Sequence, residues 1–376
     1  MSKAFETEIY QNLFAEYGYD ENQIQQRMQD IWHTVFFDEQ EKFYFEVGDD
    51  MGFVTDTGNN DVRSEGQSYA MMAAVQMDNQ DIFNRVWKWT KTYMWMDYGL
   101  HAGYFAWSVG LDGVKNSHGP APDGEEFMAM ALFFAANRWG DGEGIFNYSQ
   151  QAREILHCCL HNPEPMWNLE NKLIKFVPGL DFSDPSYHVA HFYELFALWA
   201  NEADRPFWQA AATASRAYLA LACHPETGLN AEYANYDGTP NTTRNGFHMF
   251  FSDSYRVALN IGLDDVWFGN NPELSNAMVR QQKFFCETNP GELNNFTYEI
   301  DGTRNERPVL HPEALIATNA AASLATAKIE LAQTNARACV DKFWQTPLRT
   351  GDRRYYDNFL YLFCFMALSG NYKIYK

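Results

Sequence analysis

The chain has 376 residues, 46% of them hydrophobic and 20% charged, with a formal charge of −21 at neutral pH. That acidity excludes a nucleic-acid partner, which needs Lys and Arg against phosphate, and an anionic membrane surface. A neutral partner remains, and an aromatic content of 16% offers flat faces on which a sugar can stack.

The opening residues, MSKAFETEIYQNLF, contain no apolar run of signal-peptide length, and no segment approaches a membrane span. A cytoplasmic protein is expected, with six cysteines as reduced thiols of the core.

Helical periodicity dominates, and successive segments alternate in character. Residues 21–37 form an amphipathic helix, followed by a short strand signal at 43–47. Residues 65–77 are apolar nearly all round, 80–95 amphipathic, 124–138 apolar and 149–161 amphipathic. The pattern continues with 185–201 (apolar), 206–223 (amphipathic), 253–263 (apolar) and 273–287 (amphipathic). After a second strand signal at 297–300 come 312–325 (apolar), 335–345 (amphipathic) and 356–369 (apolar).

A helix apolar on every side belongs inside, and an amphipathic one outside. Six apolar helices recur at intervals of 44–68 residues, as a helix-hairpin repeat closed on itself would place them. Loops leading into them are long (38–64, 96–123, 224–252), and those leaving are mostly short. Long ordered loops are where function concentrates. The predicted fold is all-α: an (α/α)6 barrel of six inner and six outer helices, one domain over residues 1–376. Its long loops gather at the end where the inner helices begin. The alternative is an irregular helical protein with accidental spacing.

Acids, aromatics and Arg stand at those starts. Ser64 followed by Gln67 reads as a capping box, which puts Glu65 in the first helical turn. The others are Asp123 with Glu125 and Glu126; Asp184, Tyr187 and His188; Asp253, Tyr255 and Arg256; Leu310, His311 and Glu313; and Arg353 to Asp357. Tyr104, Phe105, Trp107 and Trp167 in the loops are expected to join them at the mouth. Glycoside hydrolysis calls for this set: one carboxylic acid protonates the leaving oxygen, and a carboxylate opposite activates water. Each acid taken alone also reads as an ordinary helix cap.

Arg256, three residues after Asp253, can share its face, and cation and helix N-terminus together favour the carboxylate that a general base requires. Glu65 meets the same dipole, which works against a general acid. It must therefore be desolvated or lie near another carboxylate such as Asp123. The two catalytic candidates are expected to face each other across about 6.5–9.5 Å.

His157 and His161 lie one helical turn apart around Cys158-Cys159. Adjacent cysteines cannot both join that face, so no metal is expected. His188 is expected to border the mouth, with His191 and Glu194 packed behind it. No glycine-rich phosphate loop or G-x-S-x-G elbow appears, and no cofactor is expected.

The strings SEGQSYAM around Glu65, APDGEE around Asp123 and SDSYR around Asp253 resemble glycoside hydrolase family 8, with similarity over essentially the whole chain. EVGDDMGFVTDTGNNDVRSEG, HAGYFAWS, FFSDSYRVALNIGLD and RTGDRRYYDN are similar to exo-acting members that work on xylo-oligosaccharides. The resemblance implies an inverting hydrolase releasing xylose from the reducing end of β-1,4 xylo-oligosaccharides. Glu65 would be the proton donor and Asp253 the base, with Asp123 holding the sugar at the cleavage site. Trp107, Tyr187, Arg256, Tyr255, His311 and Tyr356 are the expected substrate contacts. Leu310-His311-Pro312 would wall off the reducing-end side. An endo-acting β-1,4 xylanase or glucanase, and an oligosaccharide-binding protein without catalysis, stay open.

Overall fold

The computed structural model describes residues 3–269, 271–290 and 296–376. Among these, twelve helices of ten residues or more occupy the predicted segments. They are α1 (Glu21–Phe36), α2 (Ser64–Gln76), α3 (Gln80–Tyr93), α4 (Pro122–Trp139), α5 (Tyr148–His161) and α6 (Ala190–Trp199). The second half holds α7 (Arg205–Ala222), α8 (Arg256–Phe268), α9 (Pro272–Lys283), α10 (Pro312–Ala321), α11 (Gln333–Gln345) and α12 (Arg354–Leu368).

The even-numbered helices pack in a closed ring, from α2 through α4, α6, α8, α10 and α12 back to α2. The odd-numbered ones lie outside, each against an inner neighbour. This is the (α/α)6 barrel. Burial follows the predicted alternation: α2 buries 12 of its 13 residues and α12 14 of 15, whereas α3 buries six of 14.

Capping divides along the same line. Four outer helices start on an Asp or Asn side chain that accepts a backbone N–H: Asp20, Asn79, Asn147 and Asn271. No inner helix has such a cap. The Ser64–Gln67 capping box does not form. Ser64 Oγ has no partner, and Gln67 instead accepts from Val54 N (2.8 Å) and donates to Thr90 Oγ1 (2.9 Å). Buried at the barrel wall, it ties a hairpin to α3 rather than closing its own helix.

Two inner helices open on 3₁₀ turns, Pro185–Tyr187 before α6 and Ser252–Tyr255 before α8. His188 interrupts the predicted 185–201 helix because its ring is held sideways by Ser183 Oγ (2.9 Å) and Ser215 Oγ (2.8 Å). The predicted 273–287 helix ends at Lys283 and continues as a π turn, Phe284–Thr288.

Both strand signals are present: β1 (Tyr44–Val47) pairs with β2 (Met51–Val54). A second ribbon, β3 (Val62–Arg63) with β4 (Ser108–Val109), was not among the predicted strands. The other predicted strand is β5 (Thr297–Tyr298), paired with β6 (Arg304–Asn305). No helix among the described residues is long and apolar enough to cross a membrane.

Candidate active site

The inner-helix starts converge on a cleft of about 660 Å³. Its floor is organised by one residue. Arg256, buried in the first turn of α8, directs Nη1 to Asp123 Oδ2 (2.9 Å), Tyr69 Oη (2.9 Å) and Glu65 Oε2 (3.2 Å). Its Nη2 stands 3.4 Å from Asp253 Oδ2. A planar guanidinium with several fixed donors can hold three carboxylates from three helices in one constellation. The Tyr187 ring lies over the same group, 5.4 Å from its carbon.

Glu65 Oε1 accepts from Tyr355 Oη at 2.8 Å. Burial pushes its pKa up to about 8; Arg256 pulls it down, Asp123 and Asp253 push it up, and the Tyr355 bond lowers it. Desolvation therefore outweighs the pull of Arg256 and favours the protonated carboxyl. It still keeps 15% of its side-chain surface exposed, enough to touch an oxygen in the cleft. Asp253, 26% exposed, reaches further into the open space. Asp123 is buried, its pKa raised by that burial against the pull of Arg256. It also accepts from Gly124 N (3.0 Å), so of the three it alone keeps some character of a cap.

The backbone at Ser252 is left-handed (φ +40°), a conformation that costs a non-glycine residue about 1–3 kcal/mol. That strain sits one residue before Asp253. Gly66 is needed for a different reason: a Cβ there would come within 2.6 Å of the Tyr355 ring. Tyr355 can reach Glu65 only because that position is bare.

Trp107 lines the cleft, 38% exposed, with the Arg63 guanidinium 5.3 Å from its ring. Arg63 is anchored by Asp56 (3.0 Å) and Asp61 (3.1 Å). The β3–β4 ribbon pairs Arg63 with Ser108, and Ser64 N donates to Trp107 O (3.0 Å). The indole is thus clamped to the start of the helix that carries Glu65.

Tyr187, His311 and Tyr356 also line the cleft. His311 Nδ1 is 2.9 Å from Asp357 Oδ2, and Arg349 Nη1 donates to Asp357 (2.5 Å) and to Leu310 O (2.7 Å). The Leu310-His311 corner is therefore pinned to α12.

Several expected residues lie elsewhere. Tyr255 is buried in a separate cluster, its ring 5.0 Å from Phe250, and Arg256, also expected as a substrate contact, is buried beneath the carboxylates and is not among the residues lining the cleft. Tyr104 and Phe105 are fully buried: Tyr104 Oη donates to Cys158 O and Glu164 O, and Phe105 packs on Trp95. Trp167 packs on Trp208 in the core. His188 does not border the mouth; burial lowers its pKa to about 3. Glu125 and Glu126 face the barrel wall, bonded to Phe105 N and Tyr193 Oη.

Sequence reasoning missed other lining residues. Phe176, Tyr233 and Phe247 form a connected aromatic set, with Phe176–Tyr233 at 4.3 Å and Tyr233–Phe247 at 4.7 Å and nearly parallel. Glu232, Arg244, Asp56 and Asn59 also line the cleft. The EYANYDG run at residues 232–238 held a usable signal, an acid beside aromatics in a long loop.

Residues 39–370 match the model for glycosyl hydrolases family 8. The chain belongs to this family. A reducing end xylose-releasing exo-oligoxylanase of Halalkalibacterium halodurans is 60% identical over 99% of this chain and 96% of its own length. Proteins of the same description from Paenibacillus barcinonensis (99% of this chain, 98% of theirs) and Bifidobacterium adolescentis (96% of each) are 53% and 50% identical. A solved structure of such an enzyme complexed with xylose superposes with a TM-score of 0.96 at 59% identity, covering both chains completely. This family 8 chain is accordingly a glycoside hydrolase.

Proposed function

We propose that this enzyme releases xylose from the reducing end of β-1,4 xylo-oligosaccharides with inversion, using Glu65 as general acid and Asp253 as general base. The observation that carries the assignment is the difference between two carboxyls on one guanidinium. Glu65 is largely desolvated, which pushes its pKa up to about 8 and favours the protonated carboxyl, while Asp253 is more open to the cleft beside Arg256 Nη2. An inverting site needs that pair of states.

The Glu65 proton passes to the glycosidic oxygen as its bond to C1 breaks. A water oxygen bonds C1 from the opposite face, and its proton passes to Asp253. Exchange with solvent then restores both groups. Asp123, fixed by Arg256, holds a hydroxyl of the sugar at the cleavage site; Trp107 supplies a stacking face, and Tyr187 and Tyr356 border the same sugar. Arg256 acts through the three carboxylates as a positioning residue.

Release of xylose rather than mixed oligomers rests on the relatives of 50–60% identity and on the pinned Leu310-His311 corner, which would close the cleft beyond one reducing-end residue. One catalytic domain over the whole chain and a cytoplasmic setting go with this reading.

Proton NMR of xylotriose digestion, read within the first turnovers, tests the proposal. Xylose appearing with xylobiose whose new reducing end is the α-anomer supports it. A β-anomer would refute inversion, and mixed oligomers from xylohexaose would identify an endo-acting enzyme.

A further inference from the structure

Outside the cleft, the structure supplies a partner for the two histidines of α5. His157 and His161 lie one turn apart on the outer face, 54% and 50% exposed, with ring centroids 4.3 Å apart. Between them and the barrel stands Asp204, from the 3₁₀ turn Glu202–Asp204 that precedes α7. Asp204 Oδ1 is 2.7 Å from His161 Nε2, and Oδ2 is 3.4 Å from His157 Nδ1. One ligand atom from each residue lies within 4.8 Å of the others.

We propose that His157, His161 and Asp204 form a binding site for one borderline divalent cation of the Zn²⁺, Ni²⁺ or Cu²⁺ type. Imidazole nitrogen with one carboxylate oxygen is a donor set for these ions rather than for Ca²⁺ or Mg²⁺. With Zn–N and Zn–O bonds of about 2.0–2.2 Å, tetrahedral ligand atoms stand about 3.3 Å apart. The 2.7 and 3.4 Å run to the two different oxygens of Asp204, and with one ligand atom from each residue within 4.8 Å of the others the exposed imidazoles would turn to close on an ion. The carboxylate is already set, because Asp204 is 7% exposed and the two imidazoles are the polar partners of its side chain. The neighbouring thiols take no part: Cys159 is buried against Met166 Sδ (3.6 Å), and the Cys158 side chain packs by Gly103.

Three protein donors leave positions for water, so the ion would be exchangeable. It would join α5 to the turn that opens α7. Binding only the folded chain, it raises thermal stability by mass action and takes no part in the cleft chemistry.

The experiment is calorimetric titration of Zn²⁺ into the full-length enzyme after chelator treatment, with His157→Ala, His161→Ala and the double variant alongside. The histidines are exposed, so these variants should fold. Saturable binding of one ion per chain is expected. Losing a direct ligand should weaken it at least as much as losing an outer-shell partner, about 10–100-fold. The unfolding midpoint should rise with Zn²⁺ in the parent and not in the double variant, and Cu²⁺ should give a spin-resonance spectrum with two-nitrogen coupling. Unchanged affinity in the double variant, or no saturable binding, overturns the assignment.

Discussion

Glu65 and Asp253 approach opposite nitrogens of one guanidinium: Arg256 Nη1 donates to Glu65 Oε2 at 3.2 Å, and Nη2 stands 3.4 Å from Asp253 Oδ2 as an ion pair. A single side chain thus lies against both groups of the proposed acid–base pair.

Removing either group should be severe. Glu65→Gln and Asp253→Asn are expected to lower kcat on xylotriose by about 10²–10⁴-fold, the usual worth of general acid–base catalysis, with little change in ligand affinity. Steady-state kinetics and xylobiose titration check this. Full turnover by either variant would remove it from the mechanism.

The acid must be protonated to work, so kcat/KM should fall as pH rises through the Glu65 value of about 8. The Tyr355 hydroxyl lowers that value by bonding the carboxylate. Tyr355→Phe should therefore move the alkaline limb to higher pH, as a pH–rate profile would show.

The same shift affects stability. The folded value lies above the ordinary 4.5, so between about 4.5 and 8 the folded chain binds more protons than the unfolded chain. Stability from this group is complete below that window and is lost as pH rises through it. Glu65→Gln should therefore raise the unfolding midpoint relative to the parent at pH 8, with the gap narrowing towards pH 5. Thermal melts at the two pH values measure it.

Gly66→Ala should act on the acid without touching it. The added methyl would meet the Tyr355 ring at 2.6 Å and displace its hydroxyl from Glu65. The expected result is a lower kcat and an alkaline limb shifted upward, in the same direction as Tyr355→Phe. A profile unchanged from the parent would show that Tyr355 does not tune the acid.

Tyr255 offers a contrast between stability and binding. Truncating this buried ring should cost about 3–5 kcal/mol, the range for large aromatics in a core. The KM of folded Tyr255→Ala enzyme should stay at the parent value. Denaturant unfolding and kinetics at low temperature separate the two effects.

The sequence by itself determined the barrel, because helical periodicity and all-round apolarity are local properties and twelve of them in alternation leave few ways to bury the inner six. It also located Glu65, Asp123 and Asp253 at the mouth, since an inner-helix start has only one end of the barrel to occupy. Whether those acids were caps was a tertiary matter. The inner helices carry no side-chain caps, and Arg256 binds Glu65 across 191 positions of sequence. Only the folded chain decided that Trp107, rather than Tyr104 or Phe105, faces the cleft, and that Tyr255 turns away into a separate cluster. A two-residue ribbon and a 3₁₀ turn fix those directions, and elements so short leave no period to read.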